Sequence, residues 1–231
     1  MRKWLFTLLF LPILAMASTG LLPLDELAGT MDRKVLETEI ARIEAAGEAI
    51  DETEHLKRLG IAWHNLSVIE VGGASEQADK WLKKASGAAP TDYEVMAYYG
   101  SARTMVGRDS WNVLTKMSAT NKGIAIIDKA IRQVPDNVIV RMVRANNSLA
   151  LPEMFKRKSK ARKDFGFLYG KFDTLALPPE TKAEICFKLG EIREEDGDRA
   201  GARALYEQAR SISPGGQWAR QSIGCNRRQR A

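Results

Sequence analysis

Histidine and cysteine are scarce: the 231-residue chain holds two of each. His55 and His64 stand on one stretch of helical periodicity, about two and a half turns apart, too far to share a metal ion. No spacing of Cys, His, Asp and Glu matches a zinc site, so no metal is expected. Gly60 and Gly72-Gly73 are not followed by Gly-Lys-Ser/Thr, which excludes a phosphate loop and its nucleotide. Asp196-Gly197-Asp198 lacks the acidic ladder and distal Glu of a calcium loop and reads as a turn. No set of polar residues converges as a catalytic site would, and no cofactor is implied. Excess charge is also small. Thirty-five Lys and Arg against 29 Asp and Glu leave a net +6, too little to argue for nucleic acid. No segment alternates with period two for long enough to make a strand, so the chain is all-α.

One apolar run is present, and it is short. Arg2 and Lys3 precede Leu5–Leu14, and Ala15-Met16-Ala17 follows as a small-x-small cleavage site. The run falls short of the roughly 20 residues that span a bilayer. Residues 1–17 therefore read as a secretory signal peptide cut before Ser18. No Cys follows the run, which argues against a lipid anchor. The expected location is the periplasm. An oxidising compartment would permit a Cys186–Cys225 bridge; the alternative is a buried thiol at Cys186 and a free Cys225.

The remainder reads as helices. Residues 18–31, with Gly20, Pro23 and Gly29, look like a linker or N-terminal arm, and Asp32 can cap the helix that follows. Residues 32–224 form the folded body. Apolar residues recur at three- and four-residue steps over 35–50 and 54–71, and Gly72-Gly73 breaks the second stretch. Helices follow from Ser75, Asp92 and Asn137, and Thr181 can cap another. An insertion, Val106 to Lys122 with Trp111 and Leu114, either lengthens two helices or forms a projecting loop. Trp218–Ile223 reads as a capping helix. Residues 225–231 read as a basic tail with Arg227, Arg228 and Arg230. A second basic run surrounds Lys156–Lys163. Both runs read as solvated surface, with weak attraction to an acidic partner or an anionic membrane surface as the sharper reading.

Residues 183–214 carry the most specific pattern. Leu189-Gly190, a turn at Gly197, then Ala202, Tyr206, Ala209 and Pro214 share one frame. Small residues at these places let two antiparallel helices cross, and proline ends the second. The segment resembles a tetratricopeptide repeat. Weaker matches cover 59–90, 92–135 and 137–169. The run from Ile139 to Phe165 resembles a segment of secreted bacterial members of that family. The resemblance implies a right-handed α-solenoid of about four helical hairpins with a C-terminal capping helix, which binds partners and does no chemistry.

In such solenoids the first helix of each hairpin lines a concave groove. Frames matched to the last repeat turn Trp63, Ser67 and Glu70 inward, then Ala97, Ser101 and Thr104, then Met142 and Asn146, then Phe187, Glu191 and Glu194. Tyr98, Arg103, Arg141 and Asn147 lie close by. Asn and Arg here could hold a carboxylate or a peptide backbone, because both donate oriented hydrogen bonds. The candidate partner-binding set is thus Trp63, Tyr98, Arg103, Arg141, Asn146, Asn147, Phe187 and Glu191. The function expected is a periplasmic scaffold or adaptor for a protein or peptide. The alternative is a ligand-binding accessory protein of a periplasmic transport system, since some similar repeat proteins associate with such systems. That alternative would need Arg103, Arg141, Asn146 and Asn147 around an enclosed pocket.

Overall fold

The computed structural model describes residues 20–228. Its helices are α1 (Leu24–Gly29), α2 (Arg33–Ala46), α3 (Glu52–Val68), α4 (Ala74–Ala88), α5 (Tyr93–Asp109), α6 (Val113–Gln133), α7 (Val138–Ala150), α8 (Lys158–Tyr169), α9 (Pro179–Glu195), α10 (Arg199–Ile212) and α11 (Gln217–Arg228). Short polar side chains set many of the starts. Asp32, Asp51, Asp92, Asn112, Asn137 and Asp198 each accept a backbone N–H from the first turn of the following helix. Helix α9 starts instead on Pro179, which needs no N–H there, so Thr181 lies inside the helix rather than capping it. None of the described helices is long and apolar enough to cross a membrane. The proposed signal peptide, residues 1–17, lies outside the described residues.

Four hairpins stack in chain order: α3 with α4, α5 with α6, α7 with α8, and α9 with α10. Each second helix also packs on the next first helix, and α11 closes the stack against α9 and α10. The N-terminal arm is not a linker. Helix α1 packs on α3, and Leu27 is fully buried among Leu36, Ile43, Leu59 and Leu66. Polar groups tie it down as well. Arg58 donates to the Leu22 carbonyl at 2.7 Å, and the Leu22 N–H donates to the buried Glu39 at 2.8 Å. Helix α11 continues past the expected boundary at Gly224 to Arg228 and buries Cys225. Cys225 and Cys186 are both buried in one cluster around Phe187, Tyr206 and Ala209. Burial pushes the Cys186 thiol up to about 12, which keeps it protonated and unreactive.

Glycine sits where the hairpins cross. A Cβ on Gly190 would lie 2.7 Å from the Tyr206 ring, and one on Gly100 would lie 2.8 Å from the Gly123 carbonyl oxygen. A Cβ on Gly60 would lie 2.6 Å from Leu82. The first hairpin therefore crosses at Gly60, several residues before the position that the frame matched to the last repeat implies. The cause is the longer turn between α3 and α4, which passes through left-handed Glu70 and Gly73. The insertion lengthens both helices of the second hairpin. Gly107 packs on Thr120 and the Lys116 carbonyl, so the contact runs past the usual crossing to a tip at Ser110–Asn112.

Candidate functional site: the face of the first helices

A hydrogen-bonded ladder runs along the first helices and holds them in register. The Asn65 amide donates to the carbonyls of Leu27, Ala28 and Thr30, at 3.0, 3.2 and 3.1 Å. Its oxygen is therefore turned to Nδ1 of His64, which donates to it at 3.2 Å. Nε2 of His64 is left bare to accept from Ser101 Oγ on α5, 3.0 Å away. One turn along α5, Thr104 donates to the Ser101 carbonyl and accepts from Asn147 on α7. Asn146 then reaches α9, donating to Glu184 at 2.8 Å. Successive hairpins are thus linked by side chains that would be costly to leave unpaired where they are buried. Burial holds His64 down to about pKa 4, with Arg108 adding to the effect and the Asn65 hydrogen bond opposing it.

The eight sequence-chosen residues separate into groups. Tyr98, Asn146 and Glu191 reach the first-helix face, all half-buried. Tyr98 stacks edge-on to His64 with ring centres 5.0 Å apart. Burial, and then the carboxylates of Glu94 and Glu184, push its hydroxyl above the usual phenol range. Glu191 accepts from Lys188 at 3.1 Å. Trp63 is half-buried against the two N-terminal core clusters, with its indole N–H buried and unpartnered. Phe187 is core rather than groove, packed between Tyr206 and Trp218 at 5.5 and 5.3 Å. Asn147 is buried in the ladder.

The two arginines are turned elsewhere. Arg103 pairs with Asp79 on α4 at 2.8 Å. Arg141 pairs with the fully buried Asp164 on α8 at 2.8 Å and lies 3.6 Å over the Phe167 ring. Arg144 grips the same carboxylate through two nitrogens, at 2.6 and 2.8 Å. Arg103, Arg141, Asn146 and Asn147 therefore point at α4, α8, α9 and α5 in turn and enclose nothing together. A depression of about 300 Å³ lies beside Arg103, lined also by Leu114, Thr115, Ser118 and Ala119 and away from the other three.

Sequence reasoning missed Glu184 and Glu94. Glu184 is raised above the usual carboxylate range by burial, against the pull of Asn146 and Lys188. Glu94 accepts from Asn137 at 2.8 Å. The visible signal was a carboxylate one turn before Lys188 and another just after the Asp92 cap. With Glu191 they make this face acidic, relieved by Lys188, whose ammonium lies over the Phe187 and Trp218 rings.

Compared with protein-family models and with curated proteins, the chain matches none. Solved structures do match. A thermophilic TPR protein of Thermus thermophilus, TTC0263, superposes with a TM-score of 0.64 at 16% identity. The match covers 83% of this chain and 90% of that one. MamA MSR-1 and MamA AMB-1 give TM-scores of 0.44 at 17% and 15% identity, over 81% and 82% of this chain and 92% and 95% of theirs. The first of these likenesses concerns the fold: this chain is a stack of helix pairs similar to those of tetratricopeptide repeat proteins.

Proposed function

We propose that this protein is a non-enzymatic scaffold or adaptor that holds a protein or peptide segment against its first helices. The supporting observation is the meeting of three consecutive hairpins on that face, where Tyr98, Asn146 and Glu184 come together. A partner laid across it reaches several repeats at once, which suits an extended or helical segment. The face offers Glu94, Glu184 and Glu191, while both candidate arginines are spent in ion pairs. The segment it suits therefore carries Lys or Arg donors rather than a carboxylate. The four residues that a transporter accessory would converge on one ligand face four different helices, which favours the scaffold. The periplasmic setting rests on Arg2, Lys3, Leu5–Leu14 and Ala15-Met16-Ala17. Intact mass of the exported chain tests it: a product beginning at Ser18 is expected, and one retaining Trp4 contradicts it.

A peptide array probed with the whole chain tests the binding mode. Segments rich in Lys and Arg should be retained. Asn146→Ala combined with Glu191→Ala should weaken the best of them about tenfold, equivalent to about 1.4 kcal/mol. Selection of acidic segments, or affinity unchanged by the double substitution, would contradict the reading.

A further inference from the structure

The outward sides of α4, α6 and α8 are predominantly basic. Helices α4, α6 and α8 contain the carboxylates Glu76, Asp79, Asp128 and Asp164. Asp79 is held by Arg103, Asp128 by Arg157, and Asp164 by Arg141 and Arg144. Glu76 alone is left to the solvent face. Against it stand Lys83 on α4, Lys122, Lys129 and Arg132 on α6, and Lys160 and Lys163 on α8, all exposed and in no ion pair. The modest net charge of the chain conceals this separation, because its carboxylates are gathered largely on the first helices and at the turns.

The long second hairpin adds apolar surface to the same face. Trp111 is 92% exposed, Leu114 81% and Val113 70% at the tip before and at the start of α6. Leu114, Ser118, Lys122, Ala125, Lys129 and Arg132 follow one another at steps of three and four, so they form a single stripe along α6. That stripe lies opposite the buried Gly123, Ile127 and Ala130, which pack inward. Leu114 therefore shares one face of α6 with Lys122, Lys129 and Arg132, and the exposed Trp111 and Val113 lie beside its start.

We infer that this surface docks the protein on an anionic phospholipid bilayer, with the lysines and Arg132 over the headgroups and Trp111, Val113 and Leu114 in the interface. Basic side chains are drawn to anionic headgroups, and tryptophan with neighbouring aliphatic groups fits the headgroup–acyl boundary. Nucleic acid would match the charge but leave Val113 and Leu114 without a role. A protein docked this way keeps its first-helix face directed away from the lipid and open to a partner.

Vesicle sedimentation tests this, with the same N-terminus in every variant so that the contribution of Leu5–Leu14 is common to all arms. Vesicles containing phosphatidylglycerol should bind the chain at least about tenfold more tightly than phosphatidylcholine alone, and added salt should weaken binding. Lys122→Gln, Lys129→Gln and Arg132→Gln together should remove most of the preference for anionic vesicles. Trp111→Ser with Leu114→Ser should weaken binding about tenfold. The difference in emission between wild type and Trp111→Phe reports Trp111 itself, and it should shift to the blue on binding. These residues are exposed, so thermal unfolding should stay unchanged and exclude misfolding as the cause. Equal binding to both vesicles, or a Trp111 emission that stays red, overturns the inference. So does nucleic acid binding as tight as that to anionic vesicles and indifferent to the tip substitutions.

Discussion

Nε2 of His64 lies 3.0 Å from Ser101 Oγ and, because Nδ1–H is committed to Asn65, it can only accept. The imidazole is thus buried in its neutral form, with a folded pKa of about 4 against an ordinary 6.5. The unfolded chain takes up this proton first as pH falls. The contribution is therefore complete above pH 6.5 and is lost progressively between 6.5 and 4, by about 3 kcal/mol in order of magnitude. Imidazole resonances followed by NMR, assigned with a His55→Gln variant, should show His64 untitrated at pH 5.5. Titration near 6.5 would contradict the buried ladder.

Two glycines should respond in opposite directions. Gly100 faces backbone, with the Gly123 carbonyl oxygen 2.8 Å and the Ile127 nitrogen 2.9 Å from a built Cβ. Gly100→Ala should cost about 1–3 kcal/mol by forcing α5 and α6 apart. Gly166 sits inside α8 with open space around it. Gly166→Ala should gain up to about 1 kcal/mol, because alanine is the better helix former. Chemical denaturation of the two variants checks both signs.

Asp164 holds Arg141 and Arg144 together inside the third hairpin. Asp164→Ala strands two buried guanidinium groups and should cost about 3–5 kcal/mol. Arg141→Ala leaves the Arg144 bridge in place and should cost less. Denaturation midpoints should fall in that order, and the reverse order would mean that the carboxylate does not organise the hairpin.

The hairpin of α9 and α10 was legible because its determinants lie close together. Leu189-Gly190, Ala202, Tyr206 and Ala209 fix the crossing, and Pro214 the end, within one short stretch. The first hairpin was legible only in outline. Pro90 marks where α4 stops but says nothing of the turn length back to α3, so the inward positions there were displaced. Helix α1 looked like an arm because it has only six residues, starting after Pro23 and ending on Gly29, while Asn65, Arg58 and Glu39, which hold the segment, are distant in sequence. Arg141 looked free because its partner belongs to the next helix. Asp164 standing alone among the lysines of α8 was the sign that it had a buried role.

Hydrogen exchange on the complex with the tightest array-selected peptide shows which face of the stack holds the partner. Added protection is expected on the first helices α5, α7 and α9, around Tyr98, Asn146 and Glu184, with the outer sides of α4, α6 and α8 exchanging as before. Protection confined to α4, α6 and α8 would contradict it and move the partner site to the basic face.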